Sequence, residues 1–226
     1  MTYSIKKEYD TQLKSLFEDQ LQDDTRLLDN MNRMLGYLNL NQIVENKSLL
    51  DLGSGKSMIV EICKKRNIQA EEISSKDSID FEKDKIDKED EKYDFVLFKS
   101  VIEHLFNPTN ILQEIKRVLK KKGILIIITP NFSLDKKFYD DPTHVHPYNP
   151  SSLEKLLQLN IFDHINVIPF LINKPTYIWK LPFSFFFGYY CLLFKNHTFK
   201  HIPIPKFLRG KSSAMISFFT KNRCSI

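Results

Sequence analysis

Cysteine is scarce in this sequence: three among 226 residues, Cys63, Cys191 and Cys224, with neither paired nor metal-like spacing. A disulfide scaffold is therefore excluded, a reducing compartment is implied, and the thiols read as packing residues. Residues Met1 to Asp10 are charged and contain no apolar h-region, so no secretory signal is expected and the setting reads as cytoplasmic. Long hydrophobic runs are missing too. The most apolar stretch, Pro182 to Phe194, is thirteen residues, short of the roughly 20 that a helix needs to cross a bilayer. Acidic residues are absent after Asp163, whereas nine of the 33 Lys and Arg lie beyond it. The first 163 residues thus carry 24 basic and 28 acidic groups, a net −4, and the rest carries +9.

What is present reads as one domain with appendages, long enough to bury a substantial core and 42% hydrophobic. Thr11 to Leu40 places Leu13, Leu16, Phe17, Leu27, Leu28, Met31, Met34, Leu35 and Leu38 at helical spacing, which predicts two helices. Strands and helices then alternate: a strand at Leu49 to Leu52, a helix from Lys56 to Arg66, strands at Ile68 to Ile73 and Phe95 to Phe98, and a helix from Asn110 to Leu119. Lys120-Lys121-Lys122-Gly123 reads as a helix stop, with cations at the negative end of the dipole and a glycine cap. Ile124 to Thr129 has the pattern of a strand buried on both faces. This alternation predicts a parallel sheet with helices on both sides. Only about ten residues separate Glu72 from Asp80-Phe81-Glu82, too few for a crossover helix, so a third strand is expected after a shortened loop. Glu82 to Lys92 reads as a solvated charge run. Ala214 to Thr220 is expected as an antiparallel edge strand.

Ser48 to Ser57 reads Ser-Leu-Leu-Asp-Leu-Gly-Ser-Gly-Lys-Ser, an apolar strand that ends in an acid and two glycines one residue apart. Glycines there permit a tight turn and close approach of a ligand to the backbone, and Asp51 stands at the strand's carboxyl end, where cofactors bind in open α/β sheets. Gly55-Lys56-Ser57 also matches the end of a phosphate-binding P-loop, but Leu50 occupies the position that motif reserves for its first glycine.

The motifs beyond this turn are informative in their order: Glu72 closing a short run, Tyr93-Asp94-Phe95-Val96, Glu103-His104, and Thr129-Pro130-Asn131 after an apolar strand. As an ordered set, they resemble the class I S-adenosylmethionine-dependent methyltransferases, in their small-molecule, sugar- and lipid-modifying branch, over about residues 48 to 170. The resemblance implies an α/β, Rossmann-like parallel sheet with an antiparallel last strand. It implies S-adenosyl-L-methionine as cofactor, with Asp51, Gly53 and Gly55 at its amino-acid portion, Glu72 at the ribose hydroxyls and Asp80, or alternatively Asp84, on the adenine side. Ser57 departs from the family's third loop glycine. The expected organisation is an N-terminal helical cap over residues 1–47 and a methyltransferase domain over 48–226, interrupted by a basic aromatic insertion at about 174–211.

Methyl transfer is an in-line displacement that requires the acceptor to be held against the methyl group in a dry site, and an oxygen acceptor also needs a base. Asp140 to Tyr148 contains His144 and His146 two residues apart, which on an extended segment point the same way and would bracket a substrate or a metal. In the branch that the chain resembles, this stretch overlies the acceptor. His144 is the candidate general base, because imidazole titrates near neutrality. His104, His146 and Tyr148 are candidate substrate contacts. Metal-using relatives of the ubiquinone type carry another acid three residues before Glu103, where this chain has Ser100, so no metal is expected. The acceptor is a small molecule, a sugar or a lipid-linked molecule; a non-catalytic module that keeps the fold is the competing reading. The basic aromatic insertion has two readings, an interfacial segment on an anionic membrane at its inner face or a core-packed insertion. No base-reading motif accompanies it, so nucleic acid is not an expected partner.

Overall fold

The computed structural model describes residues 2–74, 77–132, 138–160, 162–170 and 214–221. Among them six strands form one sheet: β1 (Ser48–Leu52), β2 (Gln69–Ile73), β3 (Tyr93–Lys99), β4 (Leu119–Pro130), β5 (Phe162–Phe170) and β6 (Ala214–Lys221), in the order β2-β1-β3-β4-β6-β5. The pairings among β2, β1, β3 and β4 are parallel, and β6 runs antiparallel to both its neighbours. Among the described residues four α-helices accompany the sheet: α1 (Thr2–Tyr37), α2 (Ile59–Lys65), α3 (Thr109–Val118) and α4 (Pro150–Leu159).

Period-two alternation along the strands divides the interior into two cores. Leu49, Phe95, Leu97, Ile126, Ile216 and Phe218 join Leu28, Met31 and Leu35 of α1 and Ile59, Ile62 and Cys63 of α2. Their neighbours Leu50, Leu52, Val96, Phe98, Leu125, Ile127 and Phe219 join Ile111, Leu112 and Ile115 of α3 and Leu153 and Leu157 of α4. Helices on both faces follow from strands that are apolar on both faces. Truncating a fully buried ring such as Phe95 to alanine is expected to cost about 3–5 kcal/mol.

Several local expectations are corrected. The N-terminal segment is one helix, not two. Thr2 to Leu35 contains neither proline nor glycine, so nothing interrupts the hydrogen-bond ladder at the polar stretch that suggested a break. No strand occupies the described residues between Ile73 and Tyr93. Side chains satisfy that backbone instead: Glu114 accepts from Ile86 N at 2.9 Å, Asp84 from Asp80 N at 2.7 Å, and Arg117 donates to the carbonyls of Ile86 and Lys88. The charge run is thereby pinned to α3 through Arg117, which also pairs with Glu114 and Asp90.

α3 passes directly into β4 at Leu119, and it is Lys122, not Gly123, that takes a positive φ of 65°. Gly123 is required for a different reason: a Cβ there would lie 2.9 Å from Lys120 O. The residues Lys120 to Lys122 form a bulge, visible as the jump in pairing from Tyr93↔Leu119 to Phe95↔Ile124. The strand Ala214–Lys221 is interior, paired on both sides, with Met215 to Phe219 fully buried. The edge belongs to β5, and the proline within it, Pro169, is a residue that sheets confine to their edges. The expected insertion at 174–211 lies outside the described residues, as do Cys191 and Cys224.

Candidate active site

The carboxyl end of β1 turns sharply because Gly53 and Gly55 both adopt left-handed conformations, with φ of 73° and 56°. Gly53 N donates to Ile73 O at 2.7 Å, which fastens the loop to the end of β2. A Cβ on Gly53 would overlap Val101 Cγ2, while one on Gly55 would meet nothing nearer than Gly53 O at 3.9 Å. One glycine is therefore demanded by packing and the other leaves open backbone that a ligand can approach.

Asp51 sits behind this loop at 1% exposure. Burial pushes its carboxyl up from 3.8 to about 6, against the downward pull of Ser57 and Lys99. Among the described residues its Oδ2 has no hydrogen-bond partner, and neither does the buried Ser54 Oγ. Two orphaned polar atoms next to an open glycine turn are unusual in a native interior. They match a ligand that brings donors and positive charge to this spot. Ser57, where the family has glycine, is thus part of the cradle: its side chain bonds to Asp51 and its Oγ accepts from Ile59 N at 3.3 Å.

The loop is braced from α1 by a residue that helical periodicity does not single out. Asp24, 2% exposed, accepts from Met58 N at 2.7 Å and pairs with Lys99 at 3.2 Å. It serves α2 as an N-terminal cap supplied by another helix, since Met58 itself has no capping side chain. At its far end α2 closes on Asn67 at φ 57°, with Ile68 N donating to Cys63 O in a Schellman arrangement. Cys63 is buried and its thiol is pushed up to about 11 by burial, so it stays a packing residue.

Glu72 pairs with Asp51 across β1 and β2 and is exposed, at the strand end where the sequence placed it. Its neighbour Glu71 is taken up elsewhere. Despite the opposing push of partial burial, hydrogen bonds from Lys88 and Lys92 hold its carboxyl down at about 2. Asp80 lies in an exposed turn with its carboxylate accepting from Glu82 N and Lys83, while Asp84 accepts from Asp80 N. Beside the glycine turn itself is Phe81, half-buried, 3.6 Å from the Gly53 Cβ position and edge-on to Phe98. An aromatic one residue beyond the acid Asp80, after the second strand, was the available signal for it.

A second group of residues gathers around the 3₁₀ turn Ile102–His104, which follows β3 and begins next to the loop through Val101. Glu103 is 1% exposed and accepts from Thr129 Oγ1 at 2.9 Å. Its carbonyl accepts from Val145 N and His146 N, which ties the histidine-bearing loop to the end of β3. Burial raises the Glu103 carboxyl above its ordinary range, against the hydrogen bonds from its own backbone N–H and the Thr129 hydroxyl. The His104 and His144 rings lie 4.8 Å apart, and His144 also stacks on Phe138 at 4.5 Å.

The hydrogen bonds fix the imidazole tautomers. His144 Nδ1 lies 2.7 Å from Phe138 O, and a carbonyl can only accept, so Nδ1 carries a proton; in the neutral ring the lone pair is then on Nε2, which has Asp141 Oδ2 at 3.8 Å. The same reasoning applies to His104, whose Nδ1 is 3.2 Å from Thr143 O and 2.9 Å from Thr143 Oγ1. That hydroxyl donates onward to Asp141 Oδ1 at 2.6 Å. His146 differs: its Nε2 is bound to Phe106 O at 2.9 Å, so the two histidines of the loop engage different partners, contrary to the shared direction expected of an extended segment. Tyr148 belongs to the core beneath, its hydroxyl pushed up to about 12 by burial and the Glu103 charge. Exposed aromatics Phe106, Phe132 and Tyr139 accompany this group.

The fold has many relatives of low sequence identity. An S-adenosylmethionine-dependent methyltransferase from Archaeoglobus fulgidus superposes with a TM-score of 0.54 at 16% identity, covering 88% of this chain and 94% of that one. A Haloferax volcanii methyltransferase solved with the Trm112 activator gives 0.55 at 10%, with 88% and 94% covered. The [4+2]-cyclase SpnF gives 0.53 at 14%, with 87% and 80% covered. No curated protein matches the sequence. The family model described as a methyltransferase domain matches residues 17–164, which includes every residue of the glycine turn and of the imidazole group and well over half of the chain; the chain belongs to that methyltransferase family.

Proposed function

We propose that this protein transfers a methyl group from S-adenosylmethionine to an oxygen or nitrogen of a small-molecule, sugar or lipid-linked acceptor, and the observation that carries the reading is the buried, unpartnered Asp51 carboxylate oxygen behind an open glycine turn. S-adenosylmethionine supplies an activated methyl on a sulfonium. Its ammonium suits the orphaned Asp51 oxygen, its carboxylate suits the exposed backbone at Gly55, and Glu72 has two oxygens for adjacent ribose hydroxyls. Phe81 supplies an apolar wall beside the turn, with Asp80 at the adenine end.

On the acceptor side, His144 has the attributes of a base: an Nε2 lone pair, a tautomer locked by Phe138 O, and a ring clamped between Phe138 and His104. His104 positions it, and His146 anchors the loop to Phe106. The proton taken from an acceptor hydroxyl would rest on His144 Nε2 and pass to solvent. Lys180, Lys195 and the aromatic run between them in the sequence support a lipid-linked acceptor at an anionic surface. Among the described residues no helix is long and apolar enough to cross a membrane.

Calorimetric titration with S-adenosylhomocysteine tests the cofactor half. Absence of binding at about 1 mM ligand would favour the competing reading, a module that keeps the fold without the chemistry. Co-sedimentation with vesicles of anionic lipid, weakening as salt is raised, tests the lipid-linked acceptor.

A further inference from the structure

The ligand atoms of Glu103, His104 and His144 all lie within 4.8 Å of one another. Two of these residues are adjacent in sequence, and the third is brought back to them by the Val145 N and His146 N bonds to the Glu103 carbonyl. We propose that Glu103, His104 and His144 form a binding site for a divalent first-row transition ion, of the two-histidine, one-carboxylate type.

Three features of the molecule support a built site. Both imidazoles donate Nδ1–H to backbone carbonyls, Phe138 O and Thr143 O, so Nε2 is the nitrogen each neutral ring can offer an ion; His144 Nε2 also has Asp141 Oδ2 at 3.8 Å. Outer hydrogen bonds of this kind orient histidines that bind metals and raise their basicity. The carboxylate is buried, with a neutral hydroxyl from Thr129 as its side-chain donor, so among the described residues no cationic side chain is bonded to it. Finally, the donors already lie within 4.8 Å of one another, against separations of about 3.2 Å around an ion with bonds of about 2.1 Å.

The donor set identifies the class of ion. Two imidazoles and one carboxylate suit Zn²⁺, Fe²⁺, Mn²⁺ or Co²⁺, whereas Mg²⁺ and Ca²⁺ prefer oxygen. Three protein ligands leave open positions, one of which an acceptor hydroxyl can take. Ser100 in place of a further acid is consistent with this, because the site draws its third ligand from the loop at His144 and not from the turn after β3. The expectation of no metal rested on the absence of that acid; the juxtaposition of His144 with His104 is a feature of the folded chain alone.

The inference rests on the reading of this loop as the acceptor side and deepens it. With an ion held there, His144 Nε2 would serve as a ligand in place of a base, and an acceptor hydroxyl at an open position would lose its proton to water. The acceptor oxygen then forms the new bond to the methyl carbon as the carbon–sulfur bond breaks, with the electron pair going to sulfur.

The test is calorimetric titration of the chelator-treated, full-length protein with Zn²⁺ alone, repeated with Mg²⁺, with Co²⁺ absorption spectra reporting the ligand set. One equivalent of Zn²⁺ is expected to bind and to raise the melting temperature. His104→Ala and His144→Ala should each weaken binding by at least about tenfold, His146→Ala, which removes the loop's bond to Phe106 but no ligand, should weaken it less than either, and Mg²⁺ should not compete. Circular dichroism establishes that each variant is folded, and His144→Gln provides a second variant that preserves volume. Absence of stoichiometric Zn²⁺ binding, or equal binding in the His104→Ala, His144→Ala double variant, overturns the site. The titration needs no methyl donor, so a protein that binds S-adenosylhomocysteine but not Zn²⁺ would lose this inference and keep its proposed function.

Discussion

The glycine turn and the histidine loop, the proposed donor and acceptor sides, differ in how their polar atoms are satisfied. At the turn, Asp51 Oδ2 and Ser54 Oγ are buried without partners among the described residues, and the cost of an unmatched carboxylate persists until something binds. In the loop, each of three imidazoles already has one nitrogen engaged, His144 to Phe138, His104 to Thr143 and His146 to Phe106, and the useful lone pairs are what those bonds leave over. The first arrangement favours a tightly held charged group that relieves a cost. The second favours chemistry, since a base or a metal ligand must keep an orientation whether or not the acceptor is present. The two regions should therefore separate cleanly under mutation, one affecting binding and the other turnover.

The largest effect is expected at the turn. Gly53→Val places a branched side chain at φ 73° and against Val101, so S-adenosylhomocysteine affinity should fall by more than about 100-fold, with a stability cost of about 2 kcal/mol or more. Gly55→Ala has room for its Cβ but is strained at φ 56°, so it should cost less stability than Gly53→Val, and comparing the two by calorimetry and thermal melting sharpens the distinction between a packing glycine and a ligand-approach glycine. Equal affinity in Gly53→Val would mean that the turn does not hold the donor.

His144→Ala reads the other region. Turnover should fall by about 10²- to 10⁴-fold while S-adenosylhomocysteine affinity changes little, because the imidazole acts on the acceptor and not on the donor. A matching loss of donor affinity would erase the contrast between the regions. An unchanged rate with an identified acceptor would remove His144 from the chemistry.

The two regions also differ in how far the sequence discloses them. The juxtaposition of Asp51, Gly53, Gly55 and Glu72 is legible because one strand, one turn and the end of the next strand form a local unit, with Asp51 and Glu72 paired across β1 and β2. Asp24 is not: nothing in a helical pattern marks one acid among many as the cap of a helix 34 residues later. The residues of the histidine loop stand out in the sequence, but their grouping does not. Their arrangement depends on two backbone bonds to the Glu103 carbonyl, a tertiary event that no local periodicity encodes. The absence of the expected third strand has the same origin, since the segment before β3 is held by Arg117 and Glu114 of α3, a helix that lies further along the chain.

Asp24→Ala should disturb the turn from a distance. It removes the acceptor for Met58 N and takes from Lys99 its ion-pair partner. A loss of about 1–3 kcal/mol in stability is expected from a missing cap and a broken, largely buried pair, together with a severalfold weaker donor affinity. If denaturant unfolding shows no change, α1 is not a brace for the cradle.

The subtlest effect concerns pH at Asp51. Its carboxyl is raised from 3.8 to about 6 in the folded protein, so between those values the folded state holds a proton that the unfolded state has already released. Stability of the free protein should accordingly decline as pH rises from about 4 through about 6 and level off above that, by an amount on the order of 2–3 kcal/mol. Asp51→Asn removes the titrating group and should abolish that decline, so at pH 7 the variant is expected to melt slightly above the native protein even though it binds S-adenosylhomocysteine more weakly. Donor affinity in the native protein should rise with pH across the same interval, because the ligand ammonium favours the ionised carboxylate, and should be flat in the variant. A variant that is both less stable at pH 7 and unaltered in its affinity profile would show that Asp51 serves the fold and not the ligand.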